Sequence, residues 1–229
     1  MEKRIKNYRL IFTLRDYHFD GFLKLVDESE RSIIKTDQNH SSIVFHWANN
    51  KMGKKDFNIK ADGVITSDTN SIIRTIHADC LPIYFLDLEN DIFALIHSGW
   101  KGTLNKIASH TLNDITRYYN LDPENIQIVI GPGIDYENYQ VGNELFQKFK
   151  NKWNMELDFF KTDKEKDKYR LDLKEANKKL LIDSGVLPNN IFVSKLSTYE
   201  SPELFHSYRR DGDSAGRMAA YIYKVRRNP

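Results

Sequence analysis

Three short apolar runs, residues 72–76, 81–86 and 92–96, follow one another with only a few polar residues between them. Each is rich in β-branched or aromatic side chains and is bounded by polar turns, so each reads as a buried strand. The period changes after Gly99, where Leu104, Ile107, Ala108, Thr111, Leu112 and Ile115 recur every three or four residues and predict an amphipathic helix. A strand, a turn and a helix thus follow in order, with His97 at the end of the last strand. Downstream, 126–130 reads as another buried strand running into Gly131-Pro132-Gly133, which must turn the chain. A helix is predicted over 142–152. The next has clearer ends, with Asp172 as N-cap, Glu175 three residues on, an apolar face of Leu173, Ala176, Leu180 and Leu181, and Gly185 as terminator. Residues 191–196 and 218–225 read as late strands, and the charged run 161–168 as a solvated loop. Strands and helices interleave without strict βαβ regularity, so an α/β or α+β fold with mixed β-sheets flanked by helices is expected.

The 229 residues show no linker, repeat or compositional break, and a single domain over 1–229 is the expectation. Hydrophobic residues make up 40% and aromatics 12%, enough for a sizeable core, while 29% charged residues and a mean hydropathy of −0.58 suit a solvated surface. A formal charge of +2, from 34 basic and 32 acidic residues, sets up no strong field for nucleic acid or anionic lipid. Any anionic substrate must therefore be held locally. The first residues are too interrupted for a signal peptide, and no run approaches the about 18 apolar residues of a membrane helix. A cytoplasmic protein is expected, a monomer or small homo-oligomer with small-molecule partners, no nucleic acid and no membrane. Cys80 is the only cysteine, which excludes an intrachain disulfide and leaves packing, nucleophilic attack or metal binding for its thiol.

Polar residues cluster most densely at His77-Ala78-Asp79-Cys80-Leu81-Pro82 and at His97-Ser98-Gly99-Trp100-Lys101-Gly102, with His97 seventeen residues after Cys80. Both stretches lie where a buried strand meets a turn, and strand ends are where α/β folds commonly place their sites. Spacing alone leaves two readings open, a shared site or a packed thiol beside a hydrogen-bonded core histidine.

The blocks HADCLPIYFLD, IHSGWKG, GPGIDYENYQVG, LDLKEAN and SYRRDGDSAGRMAA, in this order over roughly residues 60–225, resemble the signatures of the multicopper polyphenol oxidase, or laccase-domain, family. Its members are also called peptidoglycan editing factors and are now regarded as zinc-type purine nucleoside enzymes. The resemblance implies α-β-β-α layers. It also implies a metal held by His40 of Gln38-Asn39-His40, by Cys80 and by His97, with Ser41 standing where the family usually has glycine. His77 is expected to be a neighbour of the metal rather than a fourth ligand. Two imidazoles and a thiolate suit Zn²⁺, and three protein ligands leave a position for water or substrate. Zinc lowers the pKa of bound water to roughly 7, which suits adenosine deamination with a carboxylate moving protons. Asp79 is the nearest candidate for that carboxylate, against an alternative in which it caps a turn or orients a ligand histidine.

The family is also associated with phosphorolysis of adenosine, inosine, guanosine and methylthioadenosine. On that reading Arg209 and Arg210 offer planar guanidinium groups for phosphate, with Lys101 and Arg15 as further candidates. Cys80, His97, His40 and Asp79 are then the catalytic set. Gly131-Pro132-Gly133 and Gly216-Arg217-Met218 would shape the pocket or simply turn the chain, and Tyr199 and Tyr208 would stack on a purine or fill the surface. Two departures stand out. The family's Gly-Gly-Val-Ser and Asn-Leu-Gly stretches are replaced by DYHFDGFLKLVDESERS, which bears on nucleoside specificity, and its Cys-Thr-Tyr appears as Ser197-Thr198-Tyr199. Copper-based polyphenol oxidation is a weaker alternative, since seven histidines with no His-x-His pair do not make several copper centres. A Cys80 nucleophile acting on a peptidoglycan precursor and a noncatalytic binding protein complete the alternatives.

Overall fold

The computed structural model describes residues 1–16, 31–48, 56–153 and 155–225. Its strands begin with β1 (Glu2–Ile5), β2 (Tyr8–Phe12), β3 (Ser32–Thr36), β4 (Val44–Trp47), β5 (Asp56–Ile59), β6 (Gly63–Thr66), β7 (Ser71–His77), β8 (Leu81–Asp87) and β9 (Ile92–Ser98). They continue with β10 (Gln127–Ile130), β11 (Gln140–Gly142), β12 (Phe160–Thr162), β13 (Lys168–Leu171), β14 (Ile191–Val193) and β15 (Met218–Lys224). The helices are α1 (Trp100–Leu104), α2 (Ile107–Tyr119), α3 (Asn143–Lys152), α4 (Leu173–Asp183) and α5 (Tyr208–Asp211). One mixed sheet has the order β1-β2-β15-β7-β3-β5, a second β14-β10-β8-β9-β6-β4, and a small third β11-β13-β12.

Alternation along β8 and β9 shows why these strands are apolar throughout. Leu81, Ile83, Phe85, Ile92, Ala94 and Ile96 face a core shared with Ile107, Leu112 and Ile115 of α2 and Leu180 of α4. Tyr84, Leu86, Phe93 and Leu95 face Leu10, Phe12, Ile73 and Ile222 of the first sheet. Successive side chains of a strand point to opposite faces, so a central sheet with cover on both sides needs both faces apolar. Each buried large side chain contributes about 1.5–3 kcal/mol, and a one-residue slip of β8 would send both sets to the wrong face. The order from one side is therefore first sheet, second sheet, helices. The first sheet's far face carries buried Ile33, Ile72, Ala219, Tyr221 and Tyr223. Among the described residues no helix covers that face, so the fourth layer of the expected α-β-β-α arrangement is not seen there, and most of DYHFDGFLKLVDESERS lies outside the described residues.

Four expectations need revision. The helix predicted from Leu104 is two, α1 and α2, because Lys106 adopts a left-handed conformation at φ 57° and breaks the ladder. Residues 161–168 are no simple loop. They contribute the end of β12, a turn and the start of β13, with Lys161 opposite Arg170 and Thr162 opposite Tyr169; backbone pairing forms this hairpin although its side chains are polar. The strand read over 191–196 ends at Val193, since Ser197 and Thr198 hydrogen-bond to Asp135 and Asp79 and draw the chain out of the sheet. The early strands β1–β6 were not anticipated, although β2 alternates with Tyr8, Leu10 and Phe12 buried and β6 is buried throughout. The ends of α4 are as predicted: Asp172 accepts the Glu175 N–H at 2.9 Å, and Gly185 follows the helix at φ 101°.

Candidate metal centre

Three chain reversals meet where β7, β8 and β9 end or begin. His97 is the penultimate residue of β9 and lies opposite Pro82 of β8, which brings it beside Cys80, the residue just before β8. His40 arrives from the segment after β3, where Gln38 locks the chain to β7 by pairing its amide with Ile76: Nε2 donates to Ile76 O at 2.8 Å and Oε1 accepts from Ile76 N at 2.7 Å. One donor atom each from His40, Cys80 and His97 lies within 4.8 Å of the other two. The two histidine rings meet edge to face at 4.9 Å. His97 is buried, Cys80 half-buried and His40 exposed, so the cluster opens to solvent on one side.

The local electrostatics favour a charged thiolate. Burial pushes the Cys80 thiol up, but the positive His97 and hydrogen bonds from His40 and His97 outweigh it and bring it to about 6. Burial alone would push His97 down, whereas Cys80 and Asp62 raise it to about 9. His77 is a different case. Burial, and then the charge of His97, hold it well below the ordinary histidine value. Its Nδ1 faces the Cys80 carbonyl at 3.0 Å and must donate there, which leaves Nε2 to accept from Thr75 Oγ1 at 2.7 Å. Both ring nitrogens are engaged within the protein, and His77 stands outside the cluster of His40, Cys80 and His97.

The donor set fits a divalent ion of borderline softness: two imidazoles and a thiolate, close enough to share one ion and open on one side. Gly99 fits the same picture, because a Cβ there would come 2.6 Å from Cys80 Sγ and 3.4 Å from His40 Cδ2. Only glycine lets the thiol approach. Of a second acidic group, Asp135, Glu137 and Glu200, Asp135 and Glu200 are engaged by Ser197 and Asn138.

Asp79 takes the anchoring role. Its carboxylate accepts from Thr198 Oγ1 at 2.6 Å, Ser207 Oγ at 3.0 Å and Arg209 N at 2.7 Å, while its own backbone is left-handed at φ 84°. It clasps two distant segments rather than standing free to move protons. Arg210 is a correction to the phosphate-binding set. All five of its N–H donors are consumed: Nε and Nη2 on Asp211, Nη1 on Thr198 O and Tyr199 O, and Nη2 also on Phe205 O. It staples the α5 turn and has nothing left for an anion. Arg209 is placed otherwise, with Nη1 on Gln140 O at 2.8 Å and its guanidinium 4.8 Å over the Tyr139 ring. Burial raises the Tyr139 hydroxyl, Cys80 raises it further, and Arg209 opposes them. Lys101 is exposed, its Nζ 5.6 Å from the Trp100 ring. Arg15 binds Pro202 O at 2.7 Å.

Gly131 and Gly133 are close-approach points against Pro82 and Leu81, and a Cβ on Gly216 would meet the His206 ring at 2.4 Å. Tyr199 packs on the helical core, and the half-exposed Tyr208 donates to Asp213. Sequence reasoning passed over Asp62, Gly99 and Tyr139. The available signal for Asp62 was a lone acid between Ala61 and the apolar start of β6.

Known proteins share this arrangement of segments. The family described as multi-copper polyphenol oxidoreductase laccase matches residues 22–224. A Bacillus subtilis relative named purine nucleoside phosphorylase YlmD is 33% identical over 213 residues, which is 91% of this chain and 75% of the relative. A Staphylococcus aureus relative, purine nucleoside phosphorylase SACOL1200, is 34% identical over 161 residues, 70% of this chain and 59% of the relative. The crystal structure of Bacillus licheniformis hypothetical protein YfiH superposes with a TM-score of 0.85 at 25% identity, over 96% of this chain and 93% of that one. YlmD from Geobacillus stearothermophilus gives the same TM-score and coverage at 23% identity and so speaks to the fold alone. A match of this extent, over a chain that gathers His40, Cys80 and His97 at one end of its central sheet, places the protein in the multi-copper polyphenol oxidoreductase laccase family.

Proposed function

We propose that the chain is a zinc-dependent purine nucleoside enzyme that phosphorolyses adenosine, inosine, guanosine or methylthioadenosine and also deaminates adenosine. The observation that carries this reading is the open cluster of His40, Cys80 and His97, taken with relatives named as purine nucleoside phosphorylases. These three residues would hold the ion. When bound, zinc supplies a Lewis acid at the open side of the cluster.

The remaining work falls to the protein's own groups. In phosphorolysis a phosphate oxygen bonds to the anomeric carbon of the sugar as the glycosidic C–N bond breaks, and the base leaves with a proton. Arg209 is suited to the phosphate: the Tyr139 ring and Gln140 O hold its plane, and Asp79 fixes its backbone. Preorganised guanidinium donors bind phosphate without further ordering. Lys101 and Arg15 are the additional cations of this set, Lys101 through its exposed ammonium and Arg15 through the guanidinium donors not used on Pro202 O. A second reading, a Cys80 thiolate nucleophile activated by His97, is favoured by the pairing of those two side chains.

The test is metal analysis of the purified chain followed by adenosine assays with and without phosphate. Zinc near one equivalent, with adenine and ribose 1-phosphate formed only when phosphate is present, supports phosphorolysis; inosine formed without phosphate supports deamination. A metal-free protein that turns over neither, or one that carries copper and oxidises phenols, overturns the proposal.

A further inference from the structure

Asp62 is fully buried, and its carboxylate gathers the two histidine segments of the centre. Oδ1 accepts from His97 Nδ1 at 2.9 Å and from His40 N at 3.1 Å; Oδ2 accepts from Ser41 N at 2.6 Å and Ser41 Oγ at 2.7 Å. Its main chain adds two bonds, donating to Ile43 O at 2.9 Å and accepting from His97 N at 2.7 Å. His40 has a left-handed backbone at φ 59°, which non-glycine residues rarely adopt. In that conformation two successive N–H groups, those of His40 and Ser41, converge on one carboxylate and form an anion nest.

We propose that Asp62 is the positioning residue of the metal centre, a single carboxylate that sets the ring of His97 and the backbone of His40 together so that both imidazoles face Cys80. The proposal rests on the metal-binding reading above. A carboxylate can only accept, so His97 carries its proton on Nδ1 and presents Nε2 to the ion. The same carboxylate holds the unusual backbone of His40. Ser41, where the resembled family has glycine, strengthens this clamp, because its hydroxyl supplies a donor that glycine lacks.

Removing a partner that orients a metal ligand typically costs 10- to 100-fold in metal affinity. Asp62→Asn keeps the size but turns one acceptor into a donor facing Ser41, so its zinc Kd should rise about 10- to 100-fold by chelator competition. Its cobalt-substituted absorption spectrum should also change. Ser41→Ala should weaken zinc by a few-fold with the fold intact. Nitrogen NMR of the zinc-loaded wild type should show His97 protonated at Nδ1. If the wild type binds no zinc, the metal centre itself fails. If it binds zinc but Asp62→Asn keeps the same Kd and cobalt spectrum, Asp62 is merely structural and the proposal is overturned. Should Asp62→Asn not fold, an unchanged zinc Kd in Ser41→Ala, or a His97 protonated at Nε2, overturns it equally.

Discussion

Gly99→Ala tests the architecture of the centre with a single methyl group. The backbone at Gly99, φ −89° and ψ −171°, accepts alanine without strain. Restricting the unfolded chain would on its own stabilise by about 0.4–1 kcal/mol. The added carbon, however, would lie 2.6 Å from Cys80 Sγ, where ordinary contact is about 3.5–4.0 Å, so the sulfur must withdraw by roughly 1 Å. Overpacking of this kind costs about 1–3 kcal/mol and outweighs the entropic gain. A net loss of about 1–2 kcal/mol follows, a fall in Tm of about 2–8 °C for a chain of this size. Metal sites tolerate ligand displacements of only about 0.2 Å, so zinc retention should fall by more than tenfold. Gly142→Ala is the matched control. Gly142 also precedes a helix, at φ −78° and ψ 163°, and its Cβ would meet nothing within 4 Å, so any loss from placing alanine at a helix start is common to both variants. Zinc stoichiometry and Tm would be measured side by side. A Gly99→Ala protein that holds a full equivalent of zinc and melts with Gly142→Ala would refute the close packing of thiol and turn.

Cys80→Ala should leave the fold intact and abolish zinc retention; full stoichiometry in this variant would move the weight to the nucleophile reading. Arg209→Ala should raise the KM for phosphate about tenfold with little change for the nucleoside, and equal effects on both substrates would remove it from the phosphate site. Arg210→Ala should instead destabilise by at least about 2 kcal/mol, since it loses charge-assisted bonds to Asp211 and three backbone contacts, while phosphate KM in the folded fraction stays within about twofold. In the metal-free protein the Cys80 thiolate forms as pH rises through about 6. Alkylation by iodoacetamide should therefore be half-maximal near that pH, and a midpoint near the ordinary thiol value of about 8.5 would show that His97 and His40 do not stabilise the thiolate.

The strands β8 and β9 were legible in the amino-acid order because a central sheet covered on both faces is apolar along its interior positions, with polar residues left to the strand ends, and β7 of the first sheet was legible from its Ile72, Ile73 and Ile76. Likewise Asp172 and Gly185 marked the ends of α4 through purely local hydrogen bonding and backbone freedom. Cys80 and His97 stood out for a related reason, since each is polar at the end of an apolar run, but that left a shared site and plain packing both open. The ligand set of His40, Cys80 and His97 rested on the resemblance to the family. Other features depend on partners remote in the chain. Arg209 and Arg210 are indistinguishable as adjacent guanidinium groups, yet one is exhausted on Asp211 and carbonyls of the 198–205 segment while the other lies over Tyr139. Asp79 reads as a proton carrier beside Cys80 until Thr198, Ser207 and Arg209 arrive to occupy its oxygens. Asp62 stands 22 residues from His40 and 35 from His97, and nothing in its neighbours along the chain indicates that it joins them. Local patterning can say which side chains are buried, because burial follows period. Which donors and acceptors a buried or clustered polar group will find is settled by the packing of segments far apart, and here that packing separates anchors from groups free to meet a substrate.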